Sequence, residues 1–161
     1  MTLILNMNLT RSGHHNMKNI LAIGAHSDDI EFGCGGTLHK HVKEGHNVYM
    51  LIMSNGDTHQ DHINTLQSSL SAGRLVDNVL CYEQVPVPRV TNVYPVANYY
   101  VDITPYMDVK IKASECHKTQ IEKYKKSNMD MIDALEVMAR YRGNQINRKY
   151  AEAFDVLKMV G

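Results

Sequence analysis

The chain has 161 residues, of which 43% are hydrophobic, and this length and composition suit one compact domain. Lys+Arg and Asp+Glu balance at 17 each, which argues against a nucleic-acid partner, because phosphate binding needs a basic excess. No apolar run approaches the roughly 20 residues that a membrane span requires. The three cysteines have no CxxC spacing, so they indicate buried thiols of a reduced, cytoplasmic protein rather than a disulfide framework.

Residues 1–16, with the sequence MTLILNMNLTRSGHHN, are predicted to be a disordered N-terminal extension. After a short apolar start this stretch is polar and irregular, and its apolar part is too short for a secretory signal. The folded part is predicted to be a single domain over residues 17–161.

The next part of the chain predicts a strand, a helix and a second strand. NILAIGA, at residues 19–25, is a short apolar run typical of a buried parallel strand. Gly33, Gly35 and Gly36 are expected to loosen the chain, and TLHKHVKEG then has helical spacing and ends at Gly45. NVYMLIMSNG is a further apolar strand closed by a turn signal. This order predicts a βαβ unit and an α/β fold with a parallel sheet.

Later segments extend this pattern. A helix is predicted from about Asp61, with Ile63, Leu66 and Leu70 as its apolar stripe. NVLCYEQV and YYVDIT are predicted to be strands. A helix is predicted to begin near Pro105, and a second helix is predicted over about Asp130 to Tyr141. AEAFDVLKMV is predicted to be the last strand.

The stretch ILAIGAHSDDIEFGCGG places a histidine and two aspartates directly after the first predicted strand. Ligands of parallel α/β sheets bind at the carboxyl ends of the strands, where His26, Asp28 and Asp29 are expected. Charged groups there cost stability unless they bind something. The alternative is that an aspartate only caps the following helix.

A second polar cluster, DTHQDH, contains His59, Asp61 and His62. Histidines three apart share a face if the segment is helical. One of them, together with His26 and an aspartate, gives two imidazoles and one carboxylate, which is a catalytic zinc pattern with a position left for water. Two alternatives remain: two unrelated polar loops, or a glycine-rich nucleotide-binding loop, although the glycine spacing does not match G-x-G-x-x-G or the P-loop.

With these residues in view, the sequence resembles the LmbE/PIG-L family of zinc-dependent N-acetylglucosamine deacetylases. The matching pieces are AHSDDIEFGCGG, SNG, DTHQDH, NVLCYE, YVDIT, KASECHKTQ and YRGNQINRKYAEAF. The resemblance is closest to the small bacterial sugar deacetylases, including those of the bacillithiol pathway.

The resemblance implies roles for six residues. It makes Asp28 the general base that takes a proton from a water held by zinc. It makes His59 the histidine that stabilises the oxyanion or assists the leaving amine, with Asp61 orienting it. The metal ligands that it implies are His26, Asp29 and His62.

The same resemblance implies a three-layer, Rossmann-like parallel sheet with helices on both faces. The implied enzyme is a hydrolase that removes an acetyl group from a small-molecule amino sugar or glycoside by cleaving a linear amide. Its cofactor would be zinc, although iron(II) suits the same ligands. Family members commonly form homotrimers or hexamers, so a homo-oligomer is implied here.

The chain departs from the family in two places. Ser27 replaces a proline that stiffens the turn between His26 and Asp28. In addition, Gly56 runs straight into Asp57, where family members have a longer stretch that carries helices and a strand. The chain therefore resembles a family member without this internal stretch, and the alternative to an enzyme is a non-catalytic metal-binding remnant of the same fold.

Overall fold

The computed structural model describes residues 2–7, 17–54, 59–85 and 96–160, with residues 2–7 and 59 described by their backbone alone. The strands are β1 (Thr2–Met7), β2 (Asn19–Gly24), β3 (Asn47–Ile52), β4 (Asn78–Tyr82), β5 (Tyr99–Asp102) and β6 (Ala151–Lys158). The helices are α1 (Asp29–Lys43), α2 (His59–Ala72), α3 (Met107–Glu115), α4 (Lys118–Lys125) and α5 (Met131–Gln145), with short 3-10 turns at Gly73–Leu75 and Thr104–Tyr106.

The six described strands form one sheet in the order β3-β2-β1-β4-β6-β5. β2 and β3 are parallel, while β1 is antiparallel to both β2 and β4, and β6 is antiparallel to both β4 and β5. It follows that β2, β3, β4 and β5 all run in one direction, against β1 and β6. The predicted α/β class is confirmed, but the sheet is mixed rather than wholly parallel.

The first strand corrects the prediction of disorder over residues 1–16. Thr2–Met7 pairs with β2 from Ile4↔Ala22 to Met7↔Asn19, and with β4 from Thr2↔Tyr82 to Asn6↔Asn78. The backbone of this short segment is satisfied by two partner strands, one of which lies more than 70 residues away in the sequence. The rest of the predicted extension, residues 8–16, lies outside the described residues.

Leu5→Pro is expected to destabilise the protein, because Leu5 pairs with both Leu21 and Val79 in the interior of the sheet. Proline has no N–H to donate and leaves a buried carbonyl unsatisfied, which costs about 1–3 kcal/mol. Urea unfolding monitored by circular dichroism measures this loss. Leu5→Val is the control, since valine keeps the N–H and suits a strand. Equal midpoints for the two variants would contradict the central position of β1.

Two apolar clusters lie on opposite faces of the sheet. On one face Ile20 and Ala22 of β2 and Tyr82 of β4 pack with residues of α1, α3 and α5. On the other face Ile23 of β2 and Cys81 of β4 pack with residues that include Leu66 of α2. The alternation along β2 and β4 therefore builds three layers, as predicted, with helices on both faces.

Helix α1 begins at Asp29, earlier than predicted, and includes the glycines that were expected to loosen the chain. A Cβ on Gly33 would lie 2.2 Å from the Tyr82 ring, and one on Gly36 would lie 3.0 Å from Ile103. The glycines thus let α1 approach the sheet and the segment after β5 closely.

The helix is kinked at Cys34, whose φ of −139° is not helical. Beyond this kink the N–H groups of Gly36 and Thr37 donate to the two carboxylate oxygens of Glu152, at 2.9 and 2.7 Å. The carboxylate thereby caps the second half of the helix, where a negative charge is favourable. Lys110 of α3 pairs with the same carboxylate, and both side chains are buried.

The other helices follow the prediction with local changes. The helix predicted from Pro105 is interrupted at Cys116 and His117, between α3 and α4. On α2, Leu66 packs on the sheet, but Ile63 and Leu70 are exposed while Thr65 and Ser69 are buried. Within the described ranges, no helix combines the length and the apolar character needed to cross a bilayer.

Candidate metal centre at the carboxyl ends of the strands

Three strands that run in the same direction, β2, β3 and β4, end at the same edge of the sheet, and each is followed by a polar residue. His26 lies two residues after β2, Ser54 two residues after β3 and Gln84 two residues after β4. Helix α2, which starts at His59, brings Asp61 and His62 to this edge in its first turn. The predicted βαβ unit therefore positions its polar residues at the edge where ligands of such sheets bind.

The turn between β2 and α1 is held by Asp29. The backbone N–H of His26 donates to Asp29 Oδ2 at 2.8 Å, and Phe32 N–H donates to the Asp28 carbonyl at 3.1 Å. Asp28 occupies the N-cap position, yet its side chain makes no capping hydrogen bond. The alternative that Asp28 only caps the helix therefore has no support in this geometry.

The structure brings His26, Asp29 and His62 together, with one potential ligand atom of each within 4.8 Å of the others. Asp29 Oδ2 lies 3.8 Å from His26 Nδ1 and 3.6 Å from His62 Nδ1. The two imidazole rings meet edge to face with centroids 4.7 Å apart. His26 and Asp29 are buried, with exposed fractions of 8% and 5%.

Further polar side chains hold these three residues in place. Asp61 Oδ2 lies 3.2 Å from His26 Nε2, and the Ser54 hydroxyl donates to the same oxygen at 3.4 Å. The Gln84 amide nitrogen lies 3.0 Å from Asp29 Oδ1 and 3.3 Å from His62 Nε2. A carboxylate on the second nitrogen of a histidine is the usual support for a metal-binding imidazole.

Burial disfavours the ionised form of both adjacent carboxylates. Burial raises the pKa of Asp29, and the hydrogen bond from the His26 N–H opposes this shift. Burial also raises the pKa of Asp28, and the negative charge of Asp29 adds to the increase. A cation at this position would offset both effects.

The donor set fits a divalent transition metal. Two imidazoles and one carboxylate are the ligands that Zn²⁺ and Fe²⁺ accept, and three protein ligands leave a position for water. Ligand atoms around a tetrahedral ion are about 3.3 Å apart when the bonds are near 2.0 Å. The distances from Asp29 Oδ2 to the two histidine nitrogens, 3.8 and 3.6 Å, are within about 0.5 Å of this spacing.

For some of the predicted site residues, these contacts do not test the predicted role. The side chain of His59 and the whole of Asp57 lie outside the described residues, as does the Gly56–Asp57 junction at which a stretch was predicted to be missing. Asp61, which was predicted to orient His59, contacts His26. The roles of Asp28, His59 and Asp61 stay predictions, as do the metal-ligand roles of His26, Asp29 and His62.

The sequence reasoning missed Gln84 and Ser54. Each follows an observed strand at the same distance as His26 follows β2, but the sequence analysis placed both inside the longer predicted strands NVYMLIMSNG and NVLCYEQV. The prediction of buried thiols holds for Cys34 and Cys81, but Cys116 is exposed. Burial raises the pKa of the Cys34 thiol well above its ordinary value.

Comparison with known proteins finds a family that matches the sequence of this chain. The family described as "PIG-L: GlcNAc-PI de-N-acetylase" matches residues 21–154. The protein named "Uncharacterized deacetylase YaiS", from Escherichia coli (strain K12), is 42% identical over 52 residues, which are 32% of this chain and only 28% of that protein.

A solved structure shows the same fold. The conserved protein TT1542 from Thermus thermophilus superposes with a TM-score of 0.65 at 18% identity, covering 88% of this chain and 95% of that chain. The family match spans residues 21–154, which is most of the chain. This chain therefore belongs to the PIG-L family of GlcNAc-PI de-N-acetylases.

Proposed function

We propose that this chain is a metal-dependent N-deacetylase that hydrolyses the acetamido group of an N-acetylglucosamine-type amino sugar or glycoside. The observation that carries the proposal is the meeting of His26, Asp29 and His62 within 4.8 Å at the ends of the parallel strands. Membership of a de-N-acetylase family supports the reaction class, and bacillithiol-type glycosides are one group of candidate substrates.

An amide resists hydrolysis because its carbonyl carbon is a weak electrophile and its amine leaves badly. A divalent ion held by His26, Asp29 and His62 would polarise the carbonyl and lower the pKa of water to about 7. Zinc is the ion that we propose, and iron(II) is the alternative that suits the same side chains.

Asp28 is the proposed general base. It adjoins the ligand Asp29, its side chain is half-buried, and no capping bond occupies its carboxylate. It would accept a proton as water attacks the carbonyl carbon, then return that proton to the nitrogen as the C–N bond breaks. Acetate and a free amino sugar are the products.

The remaining residues position this machinery. Asp61 contacts the His26 ring, the Ser54 hydroxyl donates to Asp61, and the Gln84 amide donates to Asp29. His59, at the start of α2, is the proposed imidazole that stabilises the oxyanion or assists the departing amine.

Removal of metal is expected to abolish amine release from N-acetylglucosamine and its glycosides, and added Zn²⁺ or Fe²⁺ is expected to restore it. The assay compares the purified chain before chelation, after chelation and after metal addition. His39→Ala is the control variant, because His39 packs against Tyr106 rather than in this cluster. A folded, metal-loaded chain that releases no amine from any of these substrates would favour the non-catalytic remnant instead.

A further inference from the structure

A second group of metal-ligand side chains lies at the other end of α1. His41, Glu44 and His46 each place one potential ligand atom within 4.8 Å of the others. His41 is twelve residues after Asp29 on the same helix, which corresponds to about 18 Å along its axis. This group is therefore separate from the cluster at the strand ends.

The end of the helix brings these three residues together. Gly45 adopts φ +82°, its N–H donates to the Val42 carbonyl, and the His46 N–H donates to the His41 carbonyl. These two bonds define a Schellman cap, which brings the side chains of its first and last residues, here His41 and His46, into contact. That contact is usually hydrophobic, but here it joins two imidazoles, whose ring centroids are 5.4 Å apart.

Glu44 completes the group from the cap position between the two histidines. Its Oε2 lies 3.5 Å from His41 Nδ1 and 3.8 Å from His46 Nε2. Ligand atoms around a tetrahedral zinc ion are separated by about 3.3 Å, given Zn–N and Zn–O distances near 2.0 Å. Only small side-chain movements would therefore bring the three atoms onto one ion.

The environment of His41 is suited to a metal. Its Nδ1 is buried and has no hydrogen-bond partner among the residues that the structure describes. Burial lowers the pKa of His41, which keeps the imidazole in the neutral form that binds metals. The negative end of the helix dipole adds a favourable field for a cation.

Two features act in the opposite direction. The backbone N–H of Lys18 points to His46 Nδ1 at 3.5 Å, so that ring must lose this weak bond or reorient when its other nitrogen binds an ion. The charges of Lys18 and Lys40 near His41 disfavour a second cation. Glu44 is exposed, and its negative charge and the access of water there offset these effects.

We propose that His41, Glu44 and His46 form a second site for a divalent transition metal of the zinc class, with water completing the coordination. Two imidazoles exclude the hard ions Mg²⁺ and Ca²⁺, which take oxygen ligands. The site does not depend on the proposed deacetylase reaction, because it shares no residue with it.

Zinc stoichiometry after equilibrium dialysis tests this proposal in the His62→Ala variant, in which the first cluster has lost a ligand. We expect this variant to retain about one zinc per chain, against about two in the unsubstituted protein. Adding His41→Ala or His46→Ala is expected to remove the remaining ion, while adding His39→Ala, on the same helix, is expected to keep it.

Circular dichroism verifies that each variant is folded, and if one histidine variant does not fold, the other carries the test. The conservative Glu44→Gln is the additional variant, expected to weaken zinc binding without loss of structure. The proposal is wrong if His62→Ala alone already lacks zinc, or if the ion persists when His41 and His46 are both replaced.

Discussion

Asp28→Asn is expected to lower the rate of amide hydrolysis by about 100- to 10,000-fold while leaving the metal content of the protein unchanged. Asparagine has nearly the same shape as aspartate but cannot accept the proton of the attacking water. Asp28 is not one of the three residues whose ligand atoms meet within 4.8 Å, so its replacement leaves the donor set complete. Amine-release kinetics and metal analysis of the same preparation measure both quantities.

His62→Ala is the comparison that gives this result its meaning. It removes an imidazole from the donor set, so both activity and the ion at that site are expected to be lost. If Asp28→Asn also lost its metal, Asp28 would be a ligand rather than the base. If its rate were unchanged, another residue would accept the proton.

Lys110→Met is expected to destabilise the protein by about 3–5 kcal/mol, because it leaves the buried carboxylate of Glu152 without its cation. Both side chains are only 3% exposed, so water cannot replace the lost partner. The Lys110 ammonium also donates to the Gly33 carbonyl at 3.3 Å, a second hydrogen bond that methionine cannot make. Urea unfolding measures the loss.

Two further variants separate this effect from general damage to α3. Lys112→Met, an exposed position on the same helix, is expected to change stability by less than about 0.5 kcal/mol. The double variant Lys110→Met with Glu152→Gln is expected to recover much of the loss, since a neutral amide has no charge to neutralise and still accepts one helix N–H. A single variant as stable as Lys112→Met would show that the ion pair is dispensable.

The strand-end cluster could be predicted because its signal is local. A buried strand, a turn and two aspartates stand next to each other in the sequence, and the rule for the carboxyl ends of parallel strands locates them. The same rule would have found Ser54 and Gln84 only if the two later strands had been predicted to end at Ile52 and Tyr82, as they do in the structure. The contact of Asp61 with His26 depends on how α2 meets the sheet, which no local pattern encodes.

The central strand and the glycines of α1 could not be predicted for a related reason. β1 is stabilised by pairing with residues 78–82, and the six-residue segment itself carries little evidence of that partner. From the sequence alone, Gly33 and Gly36 indicate an interruption of helical structure. In the structure they lie within α1, and the ring of Tyr82 and the side chain of Ile103 occupy the space that larger residues would need. In both cases tertiary contacts overrode local preference.

The position of β1 has a consequence for the order in which the chain folds. In the described sheet the pair β2–β3 and the group β4–β6–β5 share no hydrogen bonds except through β1. During synthesis β1 and β2 emerge early, but the other edge of β1 has no partner until residue 82 has left the ribosome. For that interval the nascent chain presents an open strand edge, so expression at low temperature or with a chaperone that shields such edges should increase the yield of folded protein.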